Sequence, residues 1–150
     1  MNTEYLESIL TESCAEVLET MCFASILGDE GSKMNVDTDC IYSQLSFKGV
    51  RCGEFGISAP AVTSNSLAAA FLGLDEDSVT QTQSEQVLCE LANMICGAVL
   101  SRMDHDAIFE LSYPEIITCP AAREEMPKAA TKNLQMDSGS VALSLNVSGN

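Results

Sequence analysis

Glu90 and Asn93 are the residues whose types and spacing best suit chemistry in this chain. If they lie on a helix, three residues apart places both side chains on one face, about 4.5 Å apart along the axis. A carboxylate accepts hydrogen bonds and pairs with cations, whereas a carboxamide both donates and accepts. The two groups can therefore act on one target, although the same spacing also occurs on ordinary solvated helix faces.

The surrounding run from Ser84 to Met103 predicts an amphipathic helix that would position this pair. At about 100° per residue, Glu90 and Asn93 point away from a narrow apolar stripe. The stripe consists of Leu88, Leu91, Ala92, Ile95 and Val99. Gln86 and Gly97 share the outward face, and a glycine there leaves room for an approaching backbone. We therefore expect a partner to bind this face.

The string Glu-Leu-Ala-Asn-Met-Ile-Cys-Gly, from Glu90 to Gly97, resembles the signature helix of the CheX/CheC/FliY phosphatases of bacterial chemotaxis. In that family Glu-x-x-Asn is followed by an apolar pair and a glycine. A looser likeness extends over nearly the whole chain, from an acidic first helix to a strand-Pro-strand segment at 111–117. The likeness is greatest to the CheX-like branch, which carries one site, and it implies a single CheX-like domain over residues 1–150.

The resemblance implies a phosphatase that hydrolyses the phosphoaspartate of a CheY-type receiver domain in a response regulator. An acyl phosphate has a good leaving group, so catalysis needs mainly a positioned water and a stabilised transition state. In this interpretation Asn93 orients the water, and Glu90 pairs with the receiver lysine beside the phosphoryl group. Gln86 and Gly97 contact the partner. The protein needs no cofactor or metal of its own, because Mg²⁺ is expected on the phosphorylated receiver.

Two other classes of function fit the same residues. A non-catalytic adaptor, or a flagellar-switch-like module, would bind a response regulator on the same fold without turnover. Switch domains of the resembling group lose the Glu/Asn pair, so its presence here favours the enzyme. A purely structural dimer is the third class. The Glu-x-x-Asn pattern does not distinguish chemotaxis from another two-component pathway, and it does not identify the receiver.

Net charge and composition limit the kinds of partner that the protein can bind. The chain has 22 acidic and 7 basic residues, a net charge of −15. Nucleic acid and anionic membranes need clustered Lys and Arg and are therefore excluded as partners. A cationic protein surface would be attracted, although strong acidity also serves solubility. The first residues lack the pattern of a secretory signal, and the longest apolar run, 67–74, is too short to span a bilayer. We therefore expect a cytoplasmic protein.

The cysteines and the lone histidine suggest little further chemistry. Seven cysteines, with no Cys-x-x-Cys pair, favour small buried hydrophobes over a zinc site or a disulfide framework. His105 lies between Asp104 and Asp106, and a solvated residue at a helix end is favoured over a metal ligand. The chain has no Gly-x-Ser-x-Gly sequence, which disfavours Ser-His-Asp catalysis.

The rest of the chain predicts an α+β fold, a mainly antiparallel sheet with long helices packed on one face. Two further helices are predicted, one over Tyr5–Leu27 that Gly28–Ser32 ends and one from about Ser64 to Leu72 that Gly73 ends. The predicted strands are Ile41–Lys48, Glu54–Ala59, Ile108–Tyr113 and Glu115–Thr118. A hairpin is predicted from Asn133–Met136 and Ser140–Val147. Gly49 and Gly53 are placed near the first strand connection. Thr82 to Glu85 predicts a capping box for the Glu-x-x-Asn helix. Residues 121–133 predict no definite element.

This order forms two halves, a pseudo-repeat in which each half opens with a long helix followed by strands. The first helix offers Glu12 with Ala15, Glu16 with Glu19, and Glu19 with Cys22 at the same spacing, and never Glu-x-x-Asn. We therefore expect one site. Unpaired edges of a small sheet, together with the resemblance, also predict a homodimer joined through strands.

Overall fold

A computed structural model describes residues 2–29, 40–117 and 130–149, and it has the predicted α+β architecture. Within these residues, three helices pack on one face of a seven-stranded antiparallel sheet. The helices are α1 (Thr3–Cys22), α2 (Ala61–Leu72) and α3 (Gln81–Met103), with a 3₁₀ turn at Glu76–Ser78. The strands are β1 (Gly28–Asp29), β2 (Cys40–Lys48), β3 (Arg51–Pro60), β4 (Glu110–Leu111), β5 (Glu115–Ile117), β6 (Ala130–Met136) and β7 (Gly139–Gly149).

The sheet confirms the two-half pseudo-repeat and shows how the halves are joined. Its order is β1-β6-β7-β3-β2-β4, and β5 also pairs with β2. Each half contributes one hairpin, β2–β3 or β6–β7, and the hairpins meet at the central pair β3–β7. The short strand after α1 pairs with the hairpin of the second half, and the short strands after α3 pair with that of the first. Each half therefore completes the sheet of the other.

The core lies between the helices and the sheet face turned toward them. Alternate side chains of β2 and β3 point to the helices, and among them Leu45, Phe55 and Ile57 are at most 2% exposed. The stripe predicted for α3 is buried against them. Leu88, Leu91, Ala92, Ile95 and Val99 are each at most 1% exposed. Burial of these side chains, at about 25 cal/mol per Å² of apolar surface, fixes which face of α3 points outward.

The end of α1 differs from the prediction, because the helix stops at Cys22 and does not reach Leu27. Phe23 adopts the left-handed conformation with φ of 55°, and the amide of Ala24 donates to the carbonyl of Leu18 at 3.1 Å. This closing pattern usually employs glycine, so no residue type at this position indicated it. Gly28, predicted as the helix breaker, lies in β1 opposite Gln135.

The starts of α2 and α3 also differ from the prediction. α2 begins at Ala61, after Pro60, three residues before the predicted start near Ser64. The hydroxyl of Thr63, within its first turn, donates to the carbonyl of Ser138 at 3.0 Å. Its end before Gly73 is confirmed. α3 is capped by Thr80 and Gln83, and not by the box at Thr82. The Thr-x-x-Gln/Glu pattern occurs twice in overlapping registers, and the upstream copy captures the helix start.

Two details of the strands correct the prediction. β4 is shorter than predicted, whereas β5 matches the prediction as far as the described residues reach, and Pro114 separates the two strands as expected. β3 begins at Arg51, three residues earlier than predicted, so Gly53 lies inside the strand close to the connection. A Cβ added at Gly53 would overlap the backbone carbonyl oxygen of Asn146 on β7.

The β6–β7 hairpin is confirmed and is longer than predicted. Residues 130–132, for which no definite element was predicted, belong to β6, whereas Thr118 and 121–129 lie outside the described residues. Across the described part of the chain, no helix combines the length and apolarity needed to cross a bilayer.

Candidate functional site

The outer face of α3 presents the polar residues singled out from the sequence. Gln86, Glu90 and Asn93 are exposed, and Gly97 is half-buried. A Cβ built on Gly97 meets nothing within 4 Å. No hydrogen bond or ion pair joins the side chain of Glu90 or Asn93 to another of the described residues. Both side chains therefore keep their hydrogen-bonding capacity for a molecule that approaches this face.

The capping box and the buried stripe hold this face in place. The hydroxyl of Thr80 accepts from the amide of Gln83 at 3.1 Å, and the amide of Thr80 donates to the Gln83 side chain at 2.9 Å. Leu91 and Ala92, between the two polar residues, are buried. Because neighbouring residues are locked in the core, Glu90 and Asn93 cannot rotate away from solvent together without unpacking the helix.

An open groove of roughly 720 Å³ runs beside Glu90 and Asn93. One wall is the outer face of the first half of α3, and the other consists of the end of α2 and the β4–β5 segment. Its lining residues are Phe71, Leu72, Thr82, Gln83, Glu85, Gln86, Val87, Cys89, Glu90, Asn93, Leu111, Ser112, Tyr113, Pro114 and Ile116. The groove thus brings together three of the four predicted site residues, while Gly97 lies one turn beyond it.

The second wall of the groove was not predicted. It contains Tyr113, which is 87% exposed, and Leu72, which is 41% exposed. The strand-Pro-strand pattern predicted a break at Pro114 but no functional surface. An aromatic residue next to that proline was the available sign, since a side chain in a strand break is free to leave the sheet.

The groove is acidic, because Glu85 and Glu90 line it and no Lys or Arg does so among the described residues. Such a surface attracts a cationic group and repels free anions. No set of three or more His, Cys, Asp or Glu side chains is grouped to hold a metal ion in the described ranges. The chemistry available in the groove is therefore hydrogen bonding, charge pairing and apolar contact.

Cys89 lines the groove but is not a nucleophile of the usual kind. Burial raises the pKa of its thiol, the hydrogen bond from Ser43 lowers it, and the charges of Glu85 and Glu90 raise it further. The net shift is upward, so the neutral thiol dominates at neutral pH. Covalent catalysis by this residue is disfavoured.

The other predicted chemistry-bearing residues lie away from the groove. His105 is exposed beside Asp106, while Asp104 pairs with Arg51 at 2.8 Å. Cys14, Cys22 and Cys96 are buried, and burial raises their pKa values to about 12, 11 and 12. Cys52 is exposed and Cys40 and Cys89 partly so, which corrects the prediction of uniformly buried cysteines. Cys52 lies on the sheet face away from the helices, and Cys119 lies outside the described residues.

Comparisons with known proteins agree with this architecture. The solved structure of the chemotaxis protein CheX from Desulfovibrio desulfuricans is similar, with a TM-score of 0.72 and 14% identity over 96% of this chain and 99% of that one. The structure of a CheX–CheY–BeF₃–Mg²⁺ complex from Borrelia burgdorferi gives 0.71 and 14%, over 93% and 96%. FliY from Thermotoga maritima gives 0.56 and 14%, over 95% and 88%.

A search of curated protein sequences found no match. The family assignment rests on a sequence model of a whole family. A sequence model of the family described as "Chemotaxis phosphatase CheX" matches residues 41–136. That range is more than half of the chain, runs from β2 to the end of β6, and contains the whole string from Glu90 to Gly97. The chain therefore belongs to the CheX family of chemotaxis phosphatases.

Proposed function

We propose that this protein is a phosphatase that hydrolyses the phosphoaspartate of a CheY-type receiver domain, with Glu90 and Asn93 as its catalytic pair. The observation that carries the proposal is the exposed Glu-x-x-Asn pair on α3, unpaired within the described residues, in a chain of a chemotaxis phosphatase family. The similarity to a CheX solved together with CheY, BeF₃ and Mg²⁺ supports a receiver as the partner.

Asn93 acts on the attacking water in this proposal. The water oxygen forms a bond to phosphorus as the bond from phosphorus to the aspartyl oxygen breaks, and the aspartate leaves as a carboxylate with its electron pair. The carboxamide oxygen of Asn93 accepts a hydrogen bond from the water and holds it in line with the leaving oxygen. The proton of the water passes to the released phosphate or to solvent. No covalent enzyme intermediate is formed.

Glu90 fixes the docking register. Its carboxylate forms a charge-assisted hydrogen bond with the receiver lysine beside the phosphoryl group. The Mg²⁺ that neutralises phosphoryl charge is held by the receiver, so this chain contributes no metal ligand to the step. The acidic groove around Glu90 favours the approach of that cationic side chain.

Gln86 and Gly97 extend the docking face on either side of the pair. They are eleven positions apart on the helix, about 16.5 Å along the axis. Gln86 is exposed one turn before Glu90, and the space above Gly97 is open. A receiver surface can therefore lie along α3 with its backbone close to the glycine.

The test is phosphate release from a panel of phosphorylated receivers, with and without this protein. We expect faster release from at least one receiver, and loss of the acceleration in Asn93→Ala. Binding of a phosphorylated receiver without faster release would contradict the proposal and identify a non-catalytic adaptor on the same fold. Receivers whose genes lie near the gene for this protein are the first to include. Such partners imply that the protein works in the cytoplasm.

We also propose that the protein forms a homodimer through its sheet edges. Among the described residues, each edge of the sheet ends in very short strands, since β1 pairs with two residues of β6, and β4 and β5 pair with five residues of β2. Incompletely covered strands tend to pair with a second copy. Glu90 and Asn93 lie on the helix layer, so two copies joined by edges would keep two separate sites. Sedimentation should give twice the monomer mass; a mass of 16.0 kDa that persists at micromolar concentration would contradict this.

A further inference from the structure

The groove beside Glu90 and Asn93 has two chemically different walls. The wall on α3 is polar and carries Gln86, Glu90 and Asn93. The facing wall is apolar and carries Leu72 at the end of α2 and Tyr113 between β4 and β5. The catalytic roles given above account for the polar wall alone. The apolar wall therefore calls for a function of its own.

Tyr113 stands on a backbone that is fixed next to it. The amide of Ser112 donates to the carbonyl of Ser46 at 2.8 Å, and the amide of Ser46 donates to the hydroxyl of Ser112 at 2.8 Å. On the other side, Glu115 pairs with Gln44 in the register of β5 with β2. An aromatic ring that is 87% exposed on an anchored backbone loses little conformational entropy when a partner covers it.

The charges of the groove restrict what can cover this wall. Glu85 and Glu90 line it, and no cation does so among the described residues. An acidic or purely apolar segment would leave these carboxylates unpaired as water is expelled, which is costly. A segment with an apolar side chain beside a Lys or Arg satisfies both walls at once.

The position of the groove restricts the source of that segment. Asn93 must reach the phosphoryl group, and the groove opens directly beside Asn93. Whatever brings the phosphoaspartate to Asn93 therefore also lies over the groove. The surface proposed for receiver docking is continuous with it, so the occupant belongs to the receiver.

We infer that this groove accepts a receiver segment in which an apolar side chain lies next to a Lys or Arg, and that Tyr113 and Leu72 determine which receiver is bound. The inference rests on the proposed function and adds a specificity surface to it. Tyr113 and Leu72 touch the partner and not the reacting atoms, so they act on binding and leave the chemical step unchanged.

The experiment measures kcat and KM for phosphate release from the receiver that wild-type protein dephosphorylates. Tyr113→Ser should raise KM by roughly tenfold, as loss of a central aromatic contact does, and leave kcat unchanged within about twofold. Ile108→Ser is the matched control, because Ile108 is 88% exposed, lies five residues earlier in the connection that leads into β4, and does not line the groove. It should leave both constants unchanged.

The salt dependence of KM and the oligomeric state provide a second test of the inference. Added salt should raise the wild-type KM, and Glu85→Gln should reduce this salt dependence, because one carboxylate facing the cation is removed. Wild-type KM values in both Tyr113→Ser and Leu72→Ser would overturn the inference and leave the phosphatase assignment intact. A change in dimerisation in Tyr113→Ser, with KM unchanged, would identify a second copy as the occupant and overturn it too. No phosphate release from any receiver by wild-type protein would overturn the proposed function itself.

Discussion

Helices α1 and α3 occupy corresponding places in the two halves, yet two outward glutamates of α1 and the glutamate of the candidate site on α3 are engaged differently. On α1, Glu12 and Glu16 face the Arg102 guanidinium of α3, at 3.8 and 3.2 Å. On α3, Glu90 has no such partner within the described ranges. Both helices bury one stripe in the same core. An exposed glutamate therefore indicates a binding site only when it forms no ion pair within the molecule, because a paired carboxylate is already engaged by another side chain of the same chain.

The surroundings of the two helices differ as well. After α1 the chain enters the two-residue strand β1, whereas after α3 it enters two strands interrupted at Pro114. That interruption places Tyr113 opposite the polar face of α3 and makes the groove. A binding surface therefore arises in one half from a break in a strand, and not from the helix alone.

The largest effect expected from this contrast is in Asn93→Ala. Loss of one preorganised polar group from an active site costs on the order of 10²-fold in turnover. The thermal midpoint should hardly change, since Asn93 is exposed and bonds to no described residue. Phosphate release and a melting curve measure the two quantities. Thr20→Ala, on the exposed side of α1, is the control and should be silent in both. Near-wild-type turnover in Asn93→Ala would remove the catalytic assignment.

Gly97→Leu should weaken receiver binding by roughly thirtyfold, about 2 kcal/mol, because a bulky side chain fills the open space of the docking face. Leucine is a better helix former than glycine by roughly 0.8 kcal/mol, so α3 should be no less stable. Titration with a phosphorylated receiver and a denaturation curve check both parts. Undiminished binding would show that this end of α3 is not covered by the partner.

Glu90→Ala should weaken receiver binding and turnover by about tenfold or more, since a charge-assisted hydrogen bond contributes roughly 1.5–3 kcal/mol. Glu90→Gln should be intermediate, because the amide keeps an acceptor and loses the charge. The matched control is Glu19→Ala on α1, which is exposed and should change neither quantity. If both glutamates behave alike, Glu90 is an ordinary surface carboxylate and not part of a site.

The buried thiols of both helices predict a loss of stability at high pH. The pKa of Cys14 is raised to about 12 and that of Cys96 to about 12, from 9.0. Ionisation is easier in the unfolded chain, so stability is complete below pH 9 and falls as the pH rises toward the folded values. At pH 10 each thiol should account for about 1.4 kcal/mol. Denaturation of wild type and Cys14→Ala at pH 8 and 10 measures the difference; an identical pH dependence would contradict the assignment.

Arg102→Gln should have the smallest effect, below about 1 kcal/mol in unfolding free energy, because Glu12 and Glu16 are largely exposed. Receiver dephosphorylation should stay at the wild-type rate. A large fall in turnover would mean that the paired side of α1 and α3 contributes to the site.

The sequence predicted those parts of the site that depend on local periodicity. The buried stripe and the outward position of Glu90 and Asn93 follow from 3.6 residues per turn, and both are found in the structure. The end of α1 at Phe23 was not predictable, because a non-glycine residue takes the left-handed conformation. The register of the α3 cap was ambiguous between two overlapping patterns.

The groove could not be predicted from the sequence for a different reason. Leu72 and Tyr113 belong to separate elements, and only the packing of α2 and β4–β5 around α3 brings them to the same groove. Such a surface depends on long-range pairing, in which Phe47 lies opposite Leu111. No window of sequence contains both sides of it.

The reciprocal exchange of short strands between the halves has a consequence for synthesis on the ribosome. The first half emerges with α1 and the β2–β3 hairpin, but β4 and β5, which cover the edge of β2, are made only after α3. β6, the partner of β1, is later still. The nascent chain therefore carries open strand edges until β6 has been translated. Edges of this kind are prone to aggregation, so a pause late in translation is safer for this protein than one just after β3.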